Sequence, residues 1–120
     1  MTVETNQTIL VVDDDQTVRD WVTLLLSKRG CLVQSARDVE SAYRIIAADT
    51  PDVILVDLDL ARMDVHAFKS FILIRNPEAK VLAMTALPHS RADQKHGLRI
   101  LVKPIEEAEL ISAIGSCDGK

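Results

Sequence analysis

Short apolar runs alternate with stretches of helical period along the chain. Thr8–Val12 (TILVV) is a β-rich run that ends abruptly in Asp13, Asp14 and Asp15. From Gln16 to about Arg29, Val18, Val22, Leu25 and Leu26 recur on one face at helical spacing. Asp15 is placed to cap that helix, and Gly30 to stop it. Cys31–Ser35 reads as a second strand. Asp38 can cap a helix running to about Ala48, with Ala42, Ile45 and Ile46 inward. Pro51 breaks the chain. Val53–Val56 has no polar interruption, as in strands covered on both faces, and it ends in Asp57. A loop, Leu58–Asp64, leads to a helix of about Val65–Arg75, closed by Pro77. Lys80–Met84 is a fourth strand ending at Thr85, and Ile100–Val102 a fifth ending at Lys103-Pro104. Residues 86–98 between them are ambiguous. Glu106–Ser116 is a last amphipathic helix, with Leu110, Ile111 and Ile114 inward.

Five strands alternating with helices predict an α/β fold, with a doubly wound parallel sheet and right-handed crossovers. In such sheets ligands sit at the carboxyl ends of the strands, where the strand order reverses. The rule is sharp here. Strand one ends in Asp13 and Asp14, strand three in Asp57, strand four in Thr85 and strand five in Lys103. One rim therefore receives three carboxylates, a hydroxyl and an ammonium.

The remaining bulk properties narrow the setting. The 120 residues suit a single domain over 1–120, with a polar tail at 1–7 and a linker start or frayed end at 118–120. A net charge of −4 argues against direct nucleic-acid binding. No run approaches a membrane span, and the N-terminus lacks a signal peptide's apolar stretch. A cytoplasmic setting is the expectation. Cys31 and Cys117 have neither CxxC spacing nor His partners at zinc-finger distances, so both are expected as thiols.

Three close carboxylates repel one another and raise each other's pKa values. A hard divalent cation relieves this, and Mg2+ binds through a few carboxylates while keeping waters that a phosphoryl oxygen can replace. Asp57 is then a candidate nucleophile for an aspartyl phosphate. Lys103 offers a compact positive charge and Thr85 a hydroxyl, with small Ala86 leaving room beside it. Singly, each of these residues reads as a cap, a turn residue or a surface residue. It is their agreement at four strand ends that points to a site. His66, His89 and His96 are not spaced as a metal set, and Trp21 is expected to cover the core edge.

The segments ILVVDDD (Ile9–Asp15), PDVILVDLDL (Pro51–Leu60), VLAMTA (Val81–Ala86) and LVKPI (Leu101–Ile105) together resemble the receiver domain of two-component response regulators. The resemblance implies a flavodoxin-like sheet of order 2-1-3-4-5 with helices on both faces. It implies phosphotransfer to Asp57 from a sensor histidine kinase or phosphotransfer protein, with a switch in binding to a downstream protein or fused output domain. It assigns Asp13, Asp14 and Asp57 to Mg2+, with Asp59 giving a backbone carbonyl, Thr85 as the switch hydroxyl and Lys103 as the phosphoryl contact. It places residues that tune autodephosphorylation at Asp59 and Leu87. The chain would be an acceptor rather than an enzyme, and dimerisation is open.

Three features depart from the family pattern. The loop after Asp57 reads Ala61-Arg62-Met63-Asp64-Val65 in place of a Pro-Gly-Met-Asp-Gly type turn, so it must avoid positive φ or bear strain. The aromatic switch position holds Ile100. Thr85 and Lys103 are about four residues closer than in the family, about one helical turn, which predicts a short, irregular or absent fourth helix. These departures motivate an alternative function, a phosphorylation-independent module with a remodelled helix 4–strand 5–helix 5 face. A third reading is a phosphohydrolase using Asp57-Leu58-Asp59.

Overall fold

The computed structural model describes residues 6–87 and 98–115. Five strands, β1 (Thr8–Val12), β2 (Leu32–Ala36), β3 (Val53–Asp57), β4 (Lys80–Thr85) and β5 (Arg99–Val102), form one parallel sheet of order β2-β1-β3-β4-β5. The helices among the described residues are α1 (Gln16–Ser27), α2 (Val39–Asp49), α3 (Val65–Arg75) and α4 (Glu107–Ile114). This is the expected doubly wound, flavodoxin-like order.

Strand alternation sorts the core into two layers. Ile9, Val11, Val53, Leu55, Leu82, Met84 and Leu101 point to the face covered by Val22 and Leu26 of α1 and Leu110, Ala113 and Ile114 of α4. Leu10, Val12, Ile54 and Val56 point to the other face, against Ala42 and Ile46 of α2 and Phe68 and Ile72 of α3. Both faces being covered explains the unbroken apolar character of β1 and β3. Trp21 packs at the margin of the first layer, as expected.

Asp side chains start three helices. Asp15 accepts from the Thr17 N–H at 2.9 Å, Asp38 from Ser41 at 2.8 Å and Asp64 from Ala67 at 3.0 Å. Each such cap is worth about 1 kcal/mol. Beyond α1, Gly30 takes a left-handed φ of 90° and turns the chain toward β2.

Boundaries moved where pairing decides them. β2 begins one residue later than expected because the Cys31 N–H donates to the Leu26 carbonyl, and ends one residue later, where Ala36 pairs with Val12. β3 and β4 each run one residue further, so that Asp57 pairs with Met84 and Thr85 with Val102. α4 lies within the expected span: Glu106 is its N-cap and Gly115, at φ 84°, follows its end. The expected fourth helix falls in residues 88–97, outside the described residues, as do residues 1–5 of the expected tail and the linker start at 118–120. Ile100 is half-buried opposite Ala83. Cys31 is buried and disulfide-bonded, which corrects the expectation of a thiol. Spacing in sequence cannot report this, because a disulfide depends on how close the fold brings two Cα atoms. Cys117 lies outside the described residues.

The loop after β3 bears strain rather than avoiding it. Arg62 adopts φ 66°, in the left-handed region that costs a side-chain-bearing residue about 1–2 kcal/mol. Buried Leu60 and partly buried Met63 pin the segment to the second core layer, and the Met63 N–H donates to the Leu60 carbonyl at 3.2 Å. The strain sits at the position where the family's turn carries glycine. Arg62→Gly is expected to raise unfolding stability by about 1 kcal/mol, after allowing for glycine's greater freedom in the unfolded chain. The measurement is the denaturation midpoint, and a fall in the midpoint would contradict the strain account.

Candidate functional site

The strand order reverses between β1 and β3, and their carboxyl ends flank the crevice. Among the described residues, the polar or charged residues that are buried are Asp13, Asp57 and Thr85. All three were singled out from sequence, and all three stand at this rim. Asp13 follows β1 and is held there by its own N–H, which donates to the Ala36 carbonyl at 3.0 Å. Arg19 of α1 donates to the Asp13 carbonyl at 2.6 Å, a contact sequence spacing did not signal.

Lys103 joins the two buried carboxylates. Its backbone N–H donates to the Thr85 carbonyl at 2.8 Å, which fixes it beside the end of β4. Its Nζ lies 2.7 Å from Asp13 Oδ2 and 3.3 Å from Asp57 Oδ2. The second oxygens are also held. Asp13 Oδ1 accepts from the Asp15 N–H and Asp57 Oδ1 from the Asp59 N–H, both at 2.9 Å. The peptide between Lys103 and Pro104 is cis.

These contacts set the ionisation of the site. Burial, first of all, pushes the Asp57 pKa above the ordinary carboxylate value, and the charge of Asp13 adds to it. The Asp59 N–H and Lys103 pull the other way and do not cancel the rise. Burial works against the Lys103 ammonium. Its hydrogen bond to Asp13 and the charge of Asp57 outweigh that, and its pKa stands above the usual lysine value.

Asp14 is exposed at the mouth. Asp13, Asp14 and Asp57 each offer an oxygen within 4.8 Å of the others. Three carboxylates in one place suit a hard cation with oxygen ligands, not a soft thiophilic one.

Thr85 and Asp59 are more closely coupled than the sequence suggested. Asp59 was assigned a backbone role, yet its carboxylate accepts from the Thr85 hydroxyl at 3.0 and 3.2 Å and from the Ala86 N–H at 2.9 Å. The hydroxyl oxygen in turn accepts from the Leu87 N–H at 2.9 Å. Beside the site, Val18, Trp21, Ala86, Pro104 and Ile105 line an apolar cleft that reaches Lys103. His66 is exposed on α3 and is not one of the clustered groups, whereas His89 and His96 lie outside the described residues.

Carboxylate crowding alone suggests that removing either Asp13 or Asp57 would stabilise the metal-free protein. The geometry separates the two. Asp13 is the closer partner of Lys103, and its loss leaves a half-buried ammonium and the Asp15 N–H without it. Asp57→Asn, by contrast, removes the charge that burial penalises, and is expected to stabilise the metal-free protein by about 1 kcal/mol. The sign with pH follows. Because the folded Asp57 pKa is raised, folding takes up a proton between the unfolded and folded values. Stability from this group therefore falls as pH rises through that window, just above the ordinary carboxylate range. Thermal melts of both proteins in chelator across that window check it: the native-minus-variant gap should open as pH rises.

Comparison with known proteins agrees with this geometry. The family model described as response regulator receiver domain matches residues 9–115. Protein PilG of Pseudomonas aeruginosa is 31% identical over 88% of this chain and 83% of its own length. The DNA-binding transcriptional regulator NtrC of Rhizobium meliloti is 32% identical over 92% of this chain but only 24% of its own, and the probable transcriptional regulator ycf27 of Guillardia theta is spanned over 45% of its length. The chain thus spans less than half of these two longer relatives. Among solved structures, a response regulator receiver domain protein from Clostridium thermocellum superposes with a TM-score of 0.79 at 25% identity, covering 90% of both chains. The chemotaxis response regulator CheY4 of Vibrio cholerae shares the fold with a TM-score of 0.81 at 23% identity, over 92% of this chain and 97% of that one. With the acidic cluster, the switch-point crevice and a family match over nearly the whole described chain, the protein belongs to the response regulator receiver domains of two-component systems.

Proposed function

We propose that Asp57 accepts a phosphoryl group from a sensor histidine kinase or phosphotransfer protein, in the cytoplasm, and that the modified rim changes binding to a downstream protein or fused output domain. The observation that carries this is the burial of Asp13, Asp57 and Thr85 around Lys103, at the crevice where the fold places ligands. An Asp57 oxygen attacks phosphorus, forming the O–P bond as the N–P bond to the donor imidazole breaks and that nitrogen regains its proton. Lys103 shifts toward the incoming phosphoryl oxygens and offsets their charge. Mg2+ would be held by Asp13, Asp14, Asp57 and the Asp59 carbonyl, and supplies the counter-charge that lets an anionic nucleophile approach an anionic group. The apolar cleft between α1 and the Lys103–Ile105 segment gives a donor protein a surface adjoining the acceptor.

The chain is read as an acceptor and not as a phosphohydrolase. Asp59, which would have to protonate a leaving group beside Asp57, spends its carboxylate as an acceptor for Thr85 and Ala86. Where output lies in another part of a longer protein, direct nucleic-acid contact by this domain is not required. The phosphorylation-independent alternative is favoured by Ile100 at the aromatic switch position and by a Thr85 hydroxyl already engaged without a phosphoryl group.

Two measurements test the reading. Intact mass after incubation with acetyl phosphate and Mg2+ should rise by one phosphoryl group in the native chain and not in Asp57→Asn. A folded native protein that gains no mass from acetyl phosphate or a phosphorylated donor domain would favour the alternative. Mg2+ should also raise unfolding stability by about 2.7 kcal/mol at a hundredfold excess over its dissociation constant. Asp13→Ala should lose most of that increment. An equal rise in the variant would place the ion elsewhere.

A further inference from the structure

Part of the rim's set of anion-binding donors is filled by this chain's own side chain. The Thr85 hydroxyl and the Ala86 N–H converge from the end of β4 on one carboxylate, that of Asp59. The backbone of the same residue donates to Asp57 Oδ1. Asp59 therefore touches the acceptor through its peptide and the switch hydroxyl through its side chain.

A hydroxyl has one hydrogen to give. Thr85 gives it to Asp59, and its oxygen already accepts from Leu87. A phosphoryl oxygen on Asp57 can receive that hydrogen only after Asp59 lets go. The Ala86 N–H is committed in the same way. A phosphoryl dianion and a carboxylate that share the same donors also repel each other.

We propose that the Asp59 carboxylate is an internal stand-in for a phosphoryl oxygen: it latches Thr85 and Ala86 in the unmodified protein and must be displaced when Asp57 is phosphorylated. The inference rests on the acceptor reading and adds to it a positioning residue that sets how readily the site is occupied. In the unmodified protein Thr85 is held at the rim by a hydrogen bond that it gives up on modification. Displacement is feasible because Asp59 is exposed, and its carboxylate can turn out into water, where it is well solvated.

The test uses fluoroberyllate with Mg2+, a phosphoryl stand-in that binds the Asp57 carboxylate, on the full chain. Four proteins are compared: native, Asp59→Ala, Thr85→Ala and the double variant. Asp59→Ala is expected to bind about tenfold more tightly than native, the worth of a charge-assisted hydrogen bond no longer in competition. In the Thr85→Ala background the gain should shrink to about threefold or less, since one of the two contested donors is gone. Equal gains in both backgrounds would show that Asp59 acts through charge at a distance and would overturn the latch. So would an unchanged affinity in Asp59→Ala. A separate readout needs no ligand: in the free protein, Asp59→Ala should move the amide resonances of Ala86 and Leu87, and unmoved resonances would also overturn it. If none of the four proteins takes fluoroberyllate, the acceptor reading fails and the displacement fails with it, while the Ala86 resonance in the free protein still reports whether the contact exists.

Discussion

Two carboxylates are buried at the ends of adjacent parallel strands, and the rest of the structure is arranged around making that tolerable. Taking a carboxylate out of water costs several kcal/mol unless it is paired and fully hydrogen-bonded. Asp13 and Asp57 meet that condition with Lys103 between them and a backbone N–H on each remaining oxygen. The ammonium comes from the residue after β5, a strand two places from β3 in the sheet. Shared placement of Lys103 and Thr85, through the hydrogen bond from the Lys103 N–H, ties the far side of the sheet to the acidic side. The pairing is incomplete for Asp57, whose pKa still stands above the ordinary value. A further positive charge beside Asp57 would lower that residual cost.

The two core layers hold this rim in place. With α1 and α4 covering one face and α2 and α3 the other, β1 and β3 have no freedom to shift in register. A slip by one residue would turn Asp57 away from the crevice and exchange the apolar rows packed in the two layers. The loop after β3 is under more local tension. Arg62 sits in a left-handed conformation because Leu60 and Met63 anchor the segment to the core and Asp64 must cap α3. The same short path places Asp59 across from Thr85, so the rebuilt loop and the carboxylate–hydroxyl contact belong to one piece of backbone.

Much of the fold was legible in the chain because its signals are local. Period-two and helical spacing mark the elements, and Asp15, Asp38 and Gly30 mark their ends. Asp13, Asp57, Thr85 and Lys103 were legible as a site because each closes an apolar run, and parallel strands deliver their carboxyl ends to one edge. Where expectation and structure part, the missing information was spatial. β2 begins after Cys31 because Leu26 claims its N–H, and Asp57 and Thr85 extend their strands because partners on the neighbouring strand continue the ladder. The disulfide at Cys31 could not be read from spacing at all.

By itself the sequence determined the alternation of elements, the sheet's two covered faces and the set of groups brought to the rim. Those depend on hydrophobic period and strand direction, which are written residue by residue. Tertiary structure decided which groups touch: that Lys103 favours Asp13 over Asp57, that Arg19 holds the Asp13 carbonyl, and that the Asp59 side chain faces Thr85. The physical reason is range. Hydrogen bonds and ion pairs are settled over a few ångströms between residues far apart in the chain, and only the packed sheet sets those distances.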